Sequence, residues 1–235
     1  MAGSSRRAAL IAKLLGTVLA QTLGFAVLLF VPAGTLAWWR AWVFVAVVLV
    51  ATLAASFGIL NANEDLFAER LEPLIQEGQS PADKIILPAL VIAFAGVLVL
   101  APLDVFRFHL LAKPGPAVSS AGLLLFIAGW WIAYRGMREN AFAAPVVKHQ
   151  KERSQTVVDS GPYAVVRHPM YAGGLLVLVG MPLWLESFAA ALLASVPIAL
   201  LVLRILAEEA FLRCELPGYA AYAKRVRYRL IPFLW

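Results

Sequence analysis

The chain has 235 residues, 62% of them hydrophobic and 14% charged, with a mean hydropathy of +0.81. A soluble domain runs at roughly 45–50% apolar and about 25% charged, so intrinsic disorder, a coiled coil and a soluble enzyme are all excluded. The formal charge of +6 is divided among apolar runs and reads as membrane orientation rather than a nucleic-acid stripe, and the single Cys214 permits neither an intrachain disulfide nor a thiolate zinc site.

Uncharged stretches run over Leu14–Trp39, Ala41–Asn63, Ile85–Leu103, Pro114–Tyr134, His168–Leu185 and Ser187–Leu203. A helix needs roughly 20 apolar residues to cross the hydrocarbon, and the first four stretches meet that. The last two, 18 and 17 residues long and separated only by Glu186, predict a short helical hairpin, whose length leaves open whether it spans the bilayer or stops before the far surface. Open strands in lipid would leave backbone groups unpaired, so the expected fold is an all-α integral membrane protein with about six hydrophobic helical segments. The Ser-Ser-Arg-Arg start resembles a twin-arginine export signal, but the uncharged run after it is too long for a cleavable one, and it reads as the first span. Between the second and third spans, Asn61–Asp83 is acidic and carries Leu66, Phe67, Leu71, Leu74 and Ile75 near helical spacing, which predicts an amphipathic helix at the interface.

With six segments and a cytoplasmic N-terminus, seventeen of the twenty Lys and Arg fall on the cytoplasmic side and only Arg40, Arg107 and Lys113 outside. That bias predicts both termini in the cytoplasm. Two longer polar segments, Arg135–Arg167 and Arg204–Trp235, lie on that same side and flank the short hairpin. The chain reads as a single domain, with N-terminal membrane helices over 1–134 and a functional part over 135–235.

No phosphate loop, dinucleotide fingerprint, nucleophile elbow or metal-spaced histidine pair is present in the sequence. His109 and His149 read as solvated loop residues, and nothing in their spacing makes Ser160, Asp159 and His168 a triad. His168 itself ends a polar loop and opens a span, in the run from Gly161 to Gly174. Pro169 suits the first helical position, so the first-turn amides form an anion site at the positive end of the helix dipole. Arg167 adds charge there, and Gly173 and Gly174 would let a ligand approach the backbone. The plain alternative is a basic interfacial anchor with tyrosines at headgroup level. A second constellation, Glu208-Glu209, leaves an apolar span about 100° apart around the helix, with Arg204 and Arg213 each one turn away for ordinary pairing. A shared polar pocket with the His168 run is the better reading. A third run, Gly218 to Arg229, interleaves tyrosines with Lys and Arg, as in a membrane-surface helix or a lid.

Taken in order, Thr156 to Tyr163, Arg167-His168-Pro169-Met170-Tyr171, Glu208-Glu209 and Gly218-Tyr219 with Tyr222 resemble the isoprenylcysteine carboxyl methyltransferase family. That family belongs to a wider group of membrane methyltransferases acting on phospholipids and thiols. The resemblance covers roughly residues 135–235. It implies methyl transfer from S-adenosylmethionine at the cytoplasmic ends of the helices, with no metal. Carried over by motif, and joined by Gly173 from the helix start, the cofactor-site residues are Gly161, Tyr163, His168, Pro169, Tyr171, Gly173, Glu208 and Glu209. Arg167 and Glu208 are the candidates for a catalytic part. The implied acceptor is a hydrophobic or prenylated carboxylate or thiol met in the bilayer, with no nucleic-acid partner, and the implied location is a bacterial cytoplasmic membrane. The region Lys148–Thr156 and the residues after Tyr219 are expected to close over the cofactor. Two other readings are a membrane sterol-reductase-like enzyme using NADPH, with Lys148, Lys151, Arg225 and Arg227 for its phosphate, and a non-catalytic membrane protein.

Overall fold

The computed structural model describes residues 2–235, with side chains described from residue 5. Its α-helices are α1 (Ala2–Ala33), α2 (Trp39–Ala62), α3 (Glu64–Arg70), α4 (Pro81–Leu103), α5 (Pro116–Glu139), α6 (Pro169–Trp184), α7 (Phe188–Leu193), α8 (Ser195–Glu215) and α9 (Tyr219–Arg225). Among the described residues, five stretches are long and apolar enough to cross a membrane, α7 and α8 counting as one, and α6 is a shorter apolar helix beside them. The six expected hydrophobic segments are therefore all helical.

Their boundaries differ where local chemistry intervenes. The first span stops at Ala33 and not at Trp39, because Gly34 takes a left-handed φ of 69° and its N–H returns to the Phe30 carbonyl at 3.0 Å. The predicted amphipathic helix over Asn61–Asp83 shrinks to α3. The Asn63 side chain caps it by accepting from the Leu66 N–H at 2.8 Å, and it ends ahead of Pro73. Leu66 and Phe67 are buried, whereas Leu74 and Ile75 stay exposed. At the end of α4, Pro102 is followed by a π-helical turn, Asp104–Phe108.

The turn of the hairpin of α6 and α7–α8 lies beside the start of α2. Glu186, with a φ of 63°, turns the chain there and pairs with Arg40 at the start of α2 across 3.2 Å. The Arg40 guanidinium lies between the Trp39 and Trp184 rings, 4.8 and 4.6 Å from their centroids. Next to it, Ser187 donates to the buried Asp104 at 2.7 Å. At the opposite end, Arg6 pairs with Asp65, Lys13 with Glu72 and Lys148 with Glu69, so the start of α1, α3 and the segment after α5 share one end.

Helices in lipid gain no hydrophobic drive from meeting each other, so close packing must hold them. Here α5 and α6 meet along glycines. Gly122, Gly129 and Gly136 recur every seven residues on α5, and Gly173 and Gly180 do so on α6. A Cβ on Gly129 would stand 2.6 Å from the Gly173 carbonyl oxygen, one on Gly122 2.8 Å from that of Gly180, and one on Gly173 2.7 Å from the Ala133 nitrogen. Gly173 is thus spent on helix packing and does not open the backbone to a ligand. Phe44, Phe126, Leu98 and Met181 fill the core beside this seam.

Gly173→Ala is expected to destabilise the protein by about 1–3 kcal/mol or more, since the clashing atoms are backbone and cannot swing aside. Gly174→Ala, whose Cβ would meet nothing within 4 Å, is expected to leave the melting temperature in detergent within about a degree of wild type. Equal melting temperatures for the two variants would show that the seam does not hold the pair.

Candidate functional site

His168 is the residue before α6, with Pro169 as its first helical residue, so the turn is fixed without a lost backbone donor. The N–H groups of Arg167 and His168 donate to the carbonyls of Tyr228 and Arg229, both at 2.9 Å. The Arg167 side chain adds two more bonds to the same segment, from Nη1 to the Val226 and Arg227 carbonyls at 2.7 and 2.8 Å. The residues after α9 are thus fastened against the start of α6.

Below this junction lies the Glu209 carboxylate, whose side chain is 4% exposed. Oε1 accepts from Arg167 Nε at 2.6 Å and lies 3.2 Å from His168 Nε2. Oε2 accepts from Arg229 Nε at 3.2 Å and sits 3.7 Å from Arg213. The i,i+4 pair of Glu209 with Arg213 is present, but Arg204 turns away from Glu208 and pairs with Asp83 of α4 at 2.7 Å. Glu208, half-buried, instead accepts from the Tyr171 hydroxyl at 2.5 Å. The adjacent carboxylates have opposite fates: one is locked among cations, and the other faces a cavity.

That cavity is an open recess of about 780 Å³, counted with the open solvent at its mouth. Its polar lining includes Tyr163, Arg167, His168, Tyr171, Glu208 and Tyr219. Its apolar lining comes from Val146, Val147, Val157, Leu212 and Leu216. Met170 and Tyr171, in the first turn of α6, also border it, and N–H groups at such positions have no partner within the helix. The Tyr219 hydroxyl is buried in the wall with no hydrogen-bond partner. Burial pushes the Tyr163 and Tyr219 phenols up, with Glu209 and Glu208 raising Tyr219 further, and lifts Tyr222 to about 12, so all three stay protonated donors at neutral pH. Tyr222 uses its proton on the Tyr163 carbonyl at 2.8 Å.

Of the residues expected at the site, Tyr163, Arg167, His168, Tyr171 and Glu208 come together around the cavity. Pro169, Gly173 and Glu209 are not part of its lining. Gly161 also falls outside: its φ is 53°, and a Cβ there would come 2.7 Å from the Glu139 carboxyl carbon. Ser160 donates to that same Glu139 at 2.5 Å, and Asp159 pairs with Arg225, so no triad with His168 exists. Arg167, expected as catalytic, lines the cavity while its Nε and Nη1 are bonded to Glu209 and to the segment after α9.

The segment over 140–158, which includes the Lys148–Thr156 stretch expected to close over the cofactor, carries several bonds that hold its backbone. Arg70 donates to the Ala143 carbonyl at 2.7 Å, the Ser80 N–H to Val147 at 2.8 Å, and Gln150 Nε2 to Phe142 at 2.9 Å. His149 is half-buried, not solvated: its Nδ1 is closed off from water 3.8 Å from Glu215. Asn140, Phe142 and the Val146–Val147 wall carried no motif, so the sequence offered no signal for them.

Because Glu209 is already satisfied by cations, Glu209→Gln should leave buried Arg167 short of a partner and destabilise the fold by about 3–5 kcal/mol. Glu208→Gln should keep the wild-type melting temperature to within a few degrees, its loss being confined to the cavity. Thermal unfolding in detergent compares them directly, and an equal drop in both would remove the division of roles.

Comparison with known proteins is consistent with this arrangement. A stretch of 74 residues is 35% identical to a cobalt-zinc-cadmium resistance protein, CzcN, of Cupriavidus metallidurans, covering 31% of this chain and 34% of that protein. The chain thus spans about a third of that relative's length. Residues 118–215, which carry α5, α6 and the Glu208–Glu209 pair, match the family model described as phospholipid methyltransferase. This stretch, which supplies most of the cavity lining and carries Glu208 and Glu209, is similar to the phospholipid methyltransferase family over less than half of the chain.

Proposed function

We propose that this protein transfers a methyl group from S-adenosylmethionine to a carboxylate or thiolate on a hydrophobic or prenylated acceptor held in the bilayer. The observation that carries the reading is one cavity, lined mostly by the stretch that matches the methyltransferase family, into which both the Glu208 carboxylate and the unpartnered Tyr219 hydroxyl are built. When bound, the cofactor supplies an activated methyl on a sulfonium centre.

The residues present fit such a group. Glu208 would take an ammonium, with the Tyr171 hydroxyl holding one carboxylate oxygen still. The first-turn amides at Met170 and Tyr171 would take a carboxylate at the positive end of α6. The faces of Tyr171 and Tyr219 favour a nearby cation, and the apolar wall at Val146, Val157 and Leu212 suits a flat base. Displacement by a carboxylate or thiolate asks the protein mainly for alignment and exclusion of water. If the acceptor is an amine, Glu208 is the base in reach, because His168 faces Glu209.

On the charge bias, with seventeen of the twenty Lys and Arg at one end, we place that end and both termini in the cytoplasm of a bacterium. Fluorescent reporters that mature only in the cytoplasm should light up when fused to either end. A dark C-terminal fusion at normal expression would reverse the orientation.

Calorimetric titration in detergent should show binding of S-adenosylhomocysteine and none of NADPH, which separates methyl transfer from sterol-reductase-like chemistry. A hydrogen bond to a charged group is worth about 1.5–3 kcal/mol, so Glu208→Gln should weaken binding roughly tenfold to a hundredfold. Tyr219→Phe should weaken it about threefold to tenfold, on the order of 1 kcal/mol for a neutral bond. His149→Ala, outside the cavity lining, is the control. Wild-type affinity in both cavity variants would sink the site, and a labelled-methyl screen against prenylated thiols and membrane lipids would then identify the acceptor class.

A further inference from the structure

The Glu208 carboxylate and one cavity wall are tied to a charged group that no motif marks. Asp83, in the first turn of α4, is 2% exposed and lies outside the family-matching stretch. It accepts from Arg204 Nε at 2.7 Å, from Gln79 Nε2 at 2.8 Å and from the Val147 N–H at 2.9 Å. Arg204 donates a further bond, from Nη2 to the Pro145 carbonyl at 2.7 Å. Its guanidinium carbon also lies 5.5 Å from the centroid of the Tyr171 ring. Tyr171 in turn donates to Glu208.

We propose that Asp83 and Arg204 form a clamp that positions the Glu208 carboxylate and the 145–147 wall for the methyl donor. The inference rests on the cofactor reading given above. Two consequences of one ion pair meet at the cavity. Through Val147 and Pro145, the pair fixes the backbone of the wall. Through the ring of Tyr171, it holds the hydroxyl that orients Glu208. A buried ion pair contributes little net stability against a well-packed apolar replacement, but it admits few alternative arrangements. That is the property a positioning device needs. Asp83 is therefore a positioning residue, contributed by the N-terminal half to a site otherwise built from the C-terminal half.

The test uses the intact protein in detergent, with Asp83→Asn and with Arg204→Lys, which keeps the charge but lacks the two-sided guanidinium geometry. In the ligand-free state, trypsin should cut within 148–153 at least fivefold faster in both variants. Cutting at Lys224 and Arg225, on a segment held by Glu209 and not by Asp83, should change less than twofold. S-adenosylhomocysteine affinity should fall about tenfold in Arg204→Lys but less than threefold when the same change is made in a Tyr171→Phe background, since the two act on one carboxylate. Unchanged cutting within 148–153, equal acceleration at both places, failure of both variants to fold, or equal fold-losses of affinity in the two backgrounds would each overturn the clamp. Selective loosening at 148–153 in a protein that binds no S-adenosylhomocysteine would uphold the clamp on the wall and overturn the cofactor reading instead.

Discussion

The buried carboxylate of Glu209 is the interaction on which the rest of this end of the protein depends. A lone carboxylate in so dry a place would be unaffordable in free energy, and four positively charged or protonatable groups converge to make it tolerable. Those groups come from three places: the loop before α6, α8 itself, and the chain beyond α9. Satisfying one charge therefore brings three separate segments to one point. Arg167 extends the effect by holding two carbonyls of the last segment, and the backbone of 167–168 adds two more bonds to it. The cavity is the space left above this knot. Its shape is fixed because its floor has only one way to neutralise Glu209.

The glycine seam does for position along the membrane normal what Glu209 does for the end of the bundle. Five glycines let the backbones of α5 and α6 approach until carbonyl oxygens and amide nitrogens face the missing Cβ positions. A seam of that closeness cannot slide, because a shift of one residue would place a side chain where none fits. The height of His168 and Tyr171 relative to Asn140 and Phe142 is set by it. Close contact also compensates for the absence of any hydrophobic drive between helices already immersed in hydrocarbon.

The hydropathy of the chain carried most of the fold. Six apolar runs became six apolar helices, because in lipid the backbone has no other way to pair its polar groups. The errors fall where a single residue overrides composition. Gly34 cuts the first span short, and Pro73 ends the interfacial helix early. At the site, the clustering of Tyr163, His168, Tyr171 and Glu208 was legible, because Tyr163 stands in a turn, His168 and Tyr171 open α6, and Glu208 follows the uncharged run of α8. What separates Glu208 from Glu209 was not, since adjacent residues with the same charge differ only in partners that arrive from elsewhere in the chain. Asp83 was invisible for the same reason: 121 residues separate it from Arg204. The seven-residue glycine spacing was present in the sequence, but its member nearest Tyr171, Gly173, had the look of a ligand-facing glycine.

The shortness of α6 has a consequence for where chemistry can occur. At about 1.5 Å per residue its 16 residues span only about 24 Å, against a hydrocarbon thickness of about 30 Å. Its far end is pinned beside Arg40, Glu186 and two tryptophans, a group whose charges and indoles belong at the water–lipid boundary. The missing length of about 6 Å must then fall at the other end, beneath His168 and Tyr171. Either the leaflet thins there or the floor of the cavity lies below the plane of the glycerol backbones. In both cases the floor of the cavity stands close to the hydrocarbon and not far out in the water beyond it.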